Sequence, residues 1–236
     1  MTPCTPARIG VFAIIALVVF AAIAVVAAQP AARQDFRSTF DVDKASLVDR
    51  GRNTYFILEP GYRLHFRDDR RGTDTLIITV LDDTKVVDGV TTRVVEERET
   101  KGGQLAEVSR NYFAIDRTTG DVYYFGEDVD EYKNGKVTGH EGAWLSGVNG
   151  ARFGLMMPGA PKRGDRYYQE YAPTVAMDRA EILSVTAGTK VVAGVFQNCL
   201  HTKESSAIER GSEDKWYAPG VGLIKDADFE LVKIGK

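Results

Sequence analysis

From Thr54 to the end of the chain, apolar and polar residues alternate over short runs, each closed by a glycine-containing turn. The first run, Thr54 to Phe66, is broken at Glu59-Pro60-Gly61; Thr75 to Leu81, Val90 to Glu99, Leu105 to Asp116 and Asp121 to Phe125 follow. Turn signals stand between them at Val87-Asp88-Gly89, Lys101-Gly102-Gly103, Thr118-Thr119-Gly120 and Asn134-Gly135. Strand-length runs with a period of two, divided by such turns, predict antiparallel strands. In Leu105 to Ile115 one face carries Leu105, Glu107, Ser109, Asn111, Phe113 and Ile115, and the other Ala106, Val108, Arg110, Tyr112 and Ala114. Both faces are mixed, as expected where one meets a core and the other is partly covered or lines a cavity. No window holds a helical period. The expectation is an all-β domain over 54–236: a single curved antiparallel sheet, half-barrel or open barrel, with few helices.

The pattern breaks at Trp144 to Gly164, WLSGVNGARFGLMMPGAPKRG, which reads as a long irregular loop. Loops of that length are more often functional than passive. Its Phe153, Leu155, Met156 and Met157 are apolar where a loop is usually polar, so they either cap the core or rim a ligand pocket. Strands resume at Arg166 to Tyr171, Ala180 to Thr186, Gly194 to Lys203, Asp214 to Tyr217, Val221 to Lys225 and Phe229 to Ile234.

Before the domain, residues 29–53 read as a polar linker, and residues 1–28 as a targeting segment. Arg8 precedes an unbroken apolar run, Ile9 to Ala28, that ends in small residues. This is the layout of a signal peptide cleaved after Ala28. The run is also long enough to span a bilayer, so an uncleaved N-terminal anchor is the alternative. Either way the domain is expected outside the cytoplasm, periplasmic or secreted. Cys4 precedes the run and would leave with it. The remaining thiol, Cys199, sits in the β-like VFQNCLHT and reads as a buried small hydrophobe.

Charge narrows the partners. The chain carries 33 acidic and 30 basic residues, well interspersed. No basic stripe exists for nucleic acid or anionic lipid, so nucleic acid is excluded and membrane contact is expected only through residues 9–28.

The densest chemistry is EDVDEYKNGKVTGHEG, residues 127–142. Asn134-Gly135 between strand residues predicts a two-residue hairpin turn. That register places Asp130 opposite Gly139, Val129 opposite His140 and Asp128 opposite Glu141. Asp128, Asp130 and Glu141 then share a face, with His140 on the other. Three carboxylates without imidazole suit Ca²⁺, the one cofactor expected here. The competing reading is a solvated hairpin neutralised by nearby basic side chains. A three-residue loop instead would shift the register, put His140 opposite Asp130 and allow a transition-metal site that includes His140.

No serine elbow, P-loop or dinucleotide fingerprint occurs. His65, His140 and His201 lie on separate elements. Cys199 and His201, two apart on one strand, are too distant for a nucleophile and its base. Glu170, Asp178 and Glu181 have no feature that singles them out. No catalytic residue is assigned, and an enzyme is not expected. Aromatic residues crowd strand ends and the 144–164 segment, and alternation sends part of the set away from the core. Tyr124, Trp144, Phe153, Met157, Tyr168 and Trp216 are the candidate pocket residues.

Four stretches carry a resemblance: YFILEPGYRLHF (55–66), YFGEDVDEYKNGKVTGHEGAW (124–144), the M-P-x-x-P-x-x-G-D-x-Y run from Met157 to Tyr167, and KWYAPGVGLIK (215–225). With these the mature chain resembles a family of bacterial exported proteins of unknown function. Its closing YAPGVGLIK is also similar to the last strands of lipoprotein-carrier-like periplasmic domains, curved sheets that hold apolar ligands. This resemblance implies a curved sheet and leaves the ligand open. Three functions follow as expectations. The first is an envelope protein that binds a small, lipophilic or sugar-like ligand or a protein partner; the second is a Ca²⁺ module at 127–142; the third is a structural protein without a ligand.

Overall fold

The structure, a computed structural model, describes residues 35–68, 70 and 72–235. The targeting segment expected at 1–28 lies outside the described residues, as does the start of the polar stretch 29–53. From Arg37, which bridges Tyr167, that stretch is built into the fold, and a 3₁₀ turn, Lys44–Ser46, leads into strands β1 (Leu47–Val48) and β2 (Gly51–Asn53). Strand β3 (Phe56–Leu58) pairs with β2 as a separate ribbon.

The main sheet begins with a meander of β4 (Arg63–Asp68), β5 (Thr75–Val87), β6 (Val90–Lys101), β7 (Gln104–Asp116) and β8 (Val122–Lys133). β9 (Lys136–Gly139) completes a hairpin on β8, followed by β10 (Trp144–Leu145) and β11 (Arg152–Met157). The chain then forms β12 (Arg166–Tyr168), β13 (Glu170–Tyr171), β14 (Asp178–Val191), β15 (Gly194–Ser206), β16 (Glu213–Ala218), β17 (Gly222–Asp226) and β18 (Phe229–Gly235). The segment expected to be irregular, 144–164, thus contains two strands, and all of β11 is extended. Gly154 and a run of apolar residues hide its period, and a bulge between Leu155 and Met157 interrupts it further.

The strand order runs β12-β14-β15-β16-β17-β18-β4-β5-β6-β7-β8-β11-β13. Its two ends, β12 and β13, are separated in the chain only by Gln169, so the sheet wraps into a nearly closed barrel whose seam is the segment 166–171. Gly154 permits that closure, because a Cβ there would stand 2.2 Å from the Gln169 carbonyl oxygen. On the other side of the seam, the Gln169 amide donates to the Asp178 carbonyl at 2.8 Å. Gln169 is itself buried.

Alternation fills the barrel interior. Phe66, Val80, Val95, Phe113, Leu200 and Tyr217 are all buried, each contributing roughly 1.5–3 kcal/mol where a large apolar side chain leaves water. The Arg93 guanidinium is buried as well. β5 changes register between Val80 and Thr84, and the bulge turns carbonyls toward Arg93, which has no exposed surface. Arg93 donates to the Asp82 carbonyl at 2.7 Å and to the Asp49 carbonyl at 3.0 Å, and it pairs with the Asp49 carboxylate. One guanidinium therefore ties the bulge and the N-terminal segment to the wall.

Candidate functional site

Four strands run from apolar to acidic along the same inward face. On β6 the residues are Val95, Glu97 and Glu99; on β7, Phe113, Asn111, Ser109 and Glu107; on β15, Leu200, Thr202 and Glu204; on β16, Tyr217, Lys215 and Glu213. The pairings Glu97 with Ser109, Glu99 with Glu107, and Glu204 with Glu213 fix these residues at matching heights. The lumen is therefore apolar at one end and carboxylate-rich at the other.

The apolar end encloses a cavity of about 100 Å³. Phe56, Leu64, Ile78, Val80, Phe113 and Met156 line its floor, and Glu97, Lys215 and Asp226 form its polar wall. Tyr62 spans the opening and donates its hydroxyl to the Val221 carbonyl at 2.8 Å. Such a volume holds a short aliphatic segment or a single ring.

Lys215 stands at the junction, 3.3 Å from Glu204 and 3.2 Å from Asp226. Burial works against its charge, but Asp226 and Glu204 outweigh that and hold its pKa above the ordinary value. Tyr217 donates to Glu204 at 3.0 Å. The other carboxylates gain less compensation. Burial pushes Glu97 up to about 7, with Asp226, Glu107 and Glu99 adding to the rise and Lys215 opposing it. Glu127 is pushed up to about 8, first by burial and then by Glu97, with Tyr124 opposing. Burial, then Glu127 and Asp178, raise Glu170 well above the usual range.

These shifts have a signed consequence. A carboxyl whose pKa is higher in the folded chain than in the unfolded one adds stability that is complete below the unfolded value and lost as pH rises through the folded value. The melting temperature should therefore fall between about pH 5 and about pH 8, and Glu97→Gln should flatten that fall. Thermal melts of both proteins across this range check it; a wild-type curve that rises toward pH 8 would contradict it.

The predicted pocket residues are scattered by this geometry. Tyr124 is in the lumen, stacked on Phe113 and bonded to Asn111. Trp144 packs edge-on to Tyr124 and borders a different hollow with Val148 and Val175. Phe153 stacks on Phe125, and Met157 is buried core; the bulge beside Met157 hands the cavity to Met156 instead. Tyr168 belongs to an aromatic edge with Phe36 and Tyr171. Trp216 stacks on His201 at 4.3 Å on the face opposite Lys215 and Tyr217. Sequence reasoning missed Leu64, Ile78, Val80, Glu97, Lys215 and Tyr217. Their signal was the polarity gradient repeated on one face of neighbouring strands. Cys199 is fully buried, and burial raises its pKa.

The expected Ca²⁺ triad is not assembled. The turn at Asn134-Gly135 forms as predicted, but a bulge at Thr138 on β9 pairs Glu131 with Gly139 and shifts the register by one. His140 thereby comes within 3.2 Å of Asp130, which Arg110 also meets at 3.1 Å. Asp128 is held by Lys85 at 2.8 Å and by the Tyr112 hydroxyl, while Glu141 lies beyond β9 in a turn. Lys85 and Arg110, on neighbouring strands, neutralise Asp128 and Asp130. Among the described residues, no three His, Cys, Asp or Glu side chains are grouped to hold a metal ion.

No protein-family model matches the chain, and neither does any curated protein. Two solved structures are similar in layout. A candidate lipoprotein from Parabacteroides distasonis shares 12% identity at a TM-score of 0.37, over 78% of this chain and 100% of that one. An exported protein with a YmcC-like fold from Bacteroides fragilis shares 14% identity at a TM-score of 0.37, with the same coverage.

Proposed function

We propose that this chain is an exported, non-enzymatic binding protein of the cell envelope that holds the apolar part of a small amphiphilic ligand in its barrel lumen. The observation that carries the reading is the apolar cavity under a polar wall, lined by Ile78, Val80, Phe113 and Met156 and bounded by Glu97, Lys215 and Asp226. An apolar void of that size has no packing role that a larger side chain would not fill better. Export is supported by the apolar run Ile9 to Ala28 with its small-residue end. A non-enzymatic role is supported by the state of the one thiol in the domain: Cys199 is buried, with its pKa raised, and is no nucleophile in that state.

Filling the lumen tests the reading. Ile78 is partly buried and faces the cavity, so Ile78→Trp adds bulk at the floor without emptying the core. Toluene, a single-ring probe, should bind the wild type in calorimetric titration and bind the variant at least about ten-fold more weakly. Equal affinities would place the probe outside the lumen.

A further inference from the structure

We infer that the acidic end of the lumen is a subsite for an organic ammonium group, which makes the ligand a cationic amphiphile. This rests on the lumen reading above and adds the chemical class of the ligand's polar end.

The carboxylates supply charge without enough partners inside the protein. Lys215 is already committed to Glu204 and Asp226. Among the described residues, the Glu97 carboxylate makes no hydrogen bond or ion pair, although it borders both the apolar cavity and the acidic mouth. An independent observation comes from Tyr167, which is 2% exposed and whose hydroxyl has no hydrogen-bond partner. Tyr167 pairs with Ala180, and Ala180 pairs with Glu204, so all three point to the lumen face. The charged group that acts on the phenol most strongly is Glu204. A buried phenol oxygen without a partner, facing the same lumen as the unpaired Glu97 carboxylate, leaves acceptors there for N–H donors.

The spacing of the acceptors selects among cations. A hard divalent ion needs several carboxylate oxygens converging on one point, and no such group exists among the described residues. An ammonium group accepts a looser cage, because its N–H bonds diverge and aromatic faces also stabilise it. An anionic head would meet acceptors with acceptors. Binding should also be pH-linked. Glu97 is surrounded by Glu99, Glu107, Asp226 and Lys215, and Glu127 by Glu97, Glu107, Asp178, Glu170 and Tyr124. An ammonium favours the ionised form of both, so its affinity should increase as these groups lose protons.

The test is calorimetric titration of the full-length chain at about pH 8 with decylammonium, decyl sulfate and decyl maltoside, each below its micelle concentration. Decylammonium should bind at least about ten-fold more tightly than the other two. Glu97→Gln combined with Tyr167→Phe should narrow the gap between decylammonium and decyl maltoside to less than about three-fold. Equal binding of all three by the wild type would overturn the ammonium subsite while leaving the lumen reading intact. Binding of none would overturn both. Should the double variant fail to fold, the wild type decides alone. Decylammonium affinity should rise about ten-fold between about pH 6 and about pH 9 while maltoside affinity stays level, and a flat ammonium profile would overturn the subsite.

Discussion

Arg93→Ala should cost about 3–5 kcal/mol of stability, the magnitude seen when one partner of a buried ion pair is removed. The substitution strands the Asp49 carboxylate and leaves the Asp82 and Asp49 carbonyls facing a void. For a domain of this size, each kcal/mol corresponds to about 2–4 °C, so the melting temperature should fall by roughly 10 °C. Arg93→Lys should recover only part of the loss, because an ammonium lacks the planar fork that reaches bulge and N-terminal segment together. Chemical denaturation of the three proteins measures this. A loss under about 1 kcal/mol for the alanine variant would show that Arg93 does not staple the wall.

The seam should be as sensitive to a single methyl group. A Cβ at Gly154 would lie 2.2 Å from the Gln169 oxygen and 2.4 Å from its carbonyl carbon, both backbone atoms that cannot rotate away. Gly154→Ala should therefore push β11 from the 166–171 segment at a cost above about 3 kcal/mol. Hydrogen exchange would localise the damage, since the Gln169 amide that donates to Asp178 should lose protection ahead of the strands opposite the seam. Gly188→Ala is the matched control. Its nearest neighbour is the flexible end of the Gln197 side chain, and its effect should stay within about 1 kcal/mol. Similar losses for the two variants would remove the close approach as the reason for glycine at 154.

The fold was legible because alternation and turns are local signals. Thr75 to Leu81, Val90 to Glu99 and Leu105 to Asp116 all occur as strands, longer by a few residues than the pattern suggested. What the pattern could not convey was register after a bulge. The extra residue Thr138 moved His140 to Asp130 and separated the carboxylates of the triad, and the one between Leu155 and Met157 exchanged Met157 for Met156 at the cavity. Closure was equally hidden, since it depends on a carbonyl at Gln169 meeting the hydrogen-only side of Gly154. The aromatic candidates were dispersed for a simpler reason. An aromatic at a strand end fits a pocket wall or a core equally well, and Phe153 and Trp216 found ring partners elsewhere. The informative feature was the shared gradient from Val95 to Glu99, from Phe113 to Glu107 and from Tyr217 to Glu213, whose meaning appears only when the strands lie side by side.

The most direct test of the lumen reading is a native mass spectrum of the chain purified from a bacterial envelope, with Ile78→Trp prepared alongside. The account predicts a defined extra mass on the wild type that is shed on denaturation and is absent from the variant. A bare polypeptide in both preparations, or the same extra mass on both, would contradict it.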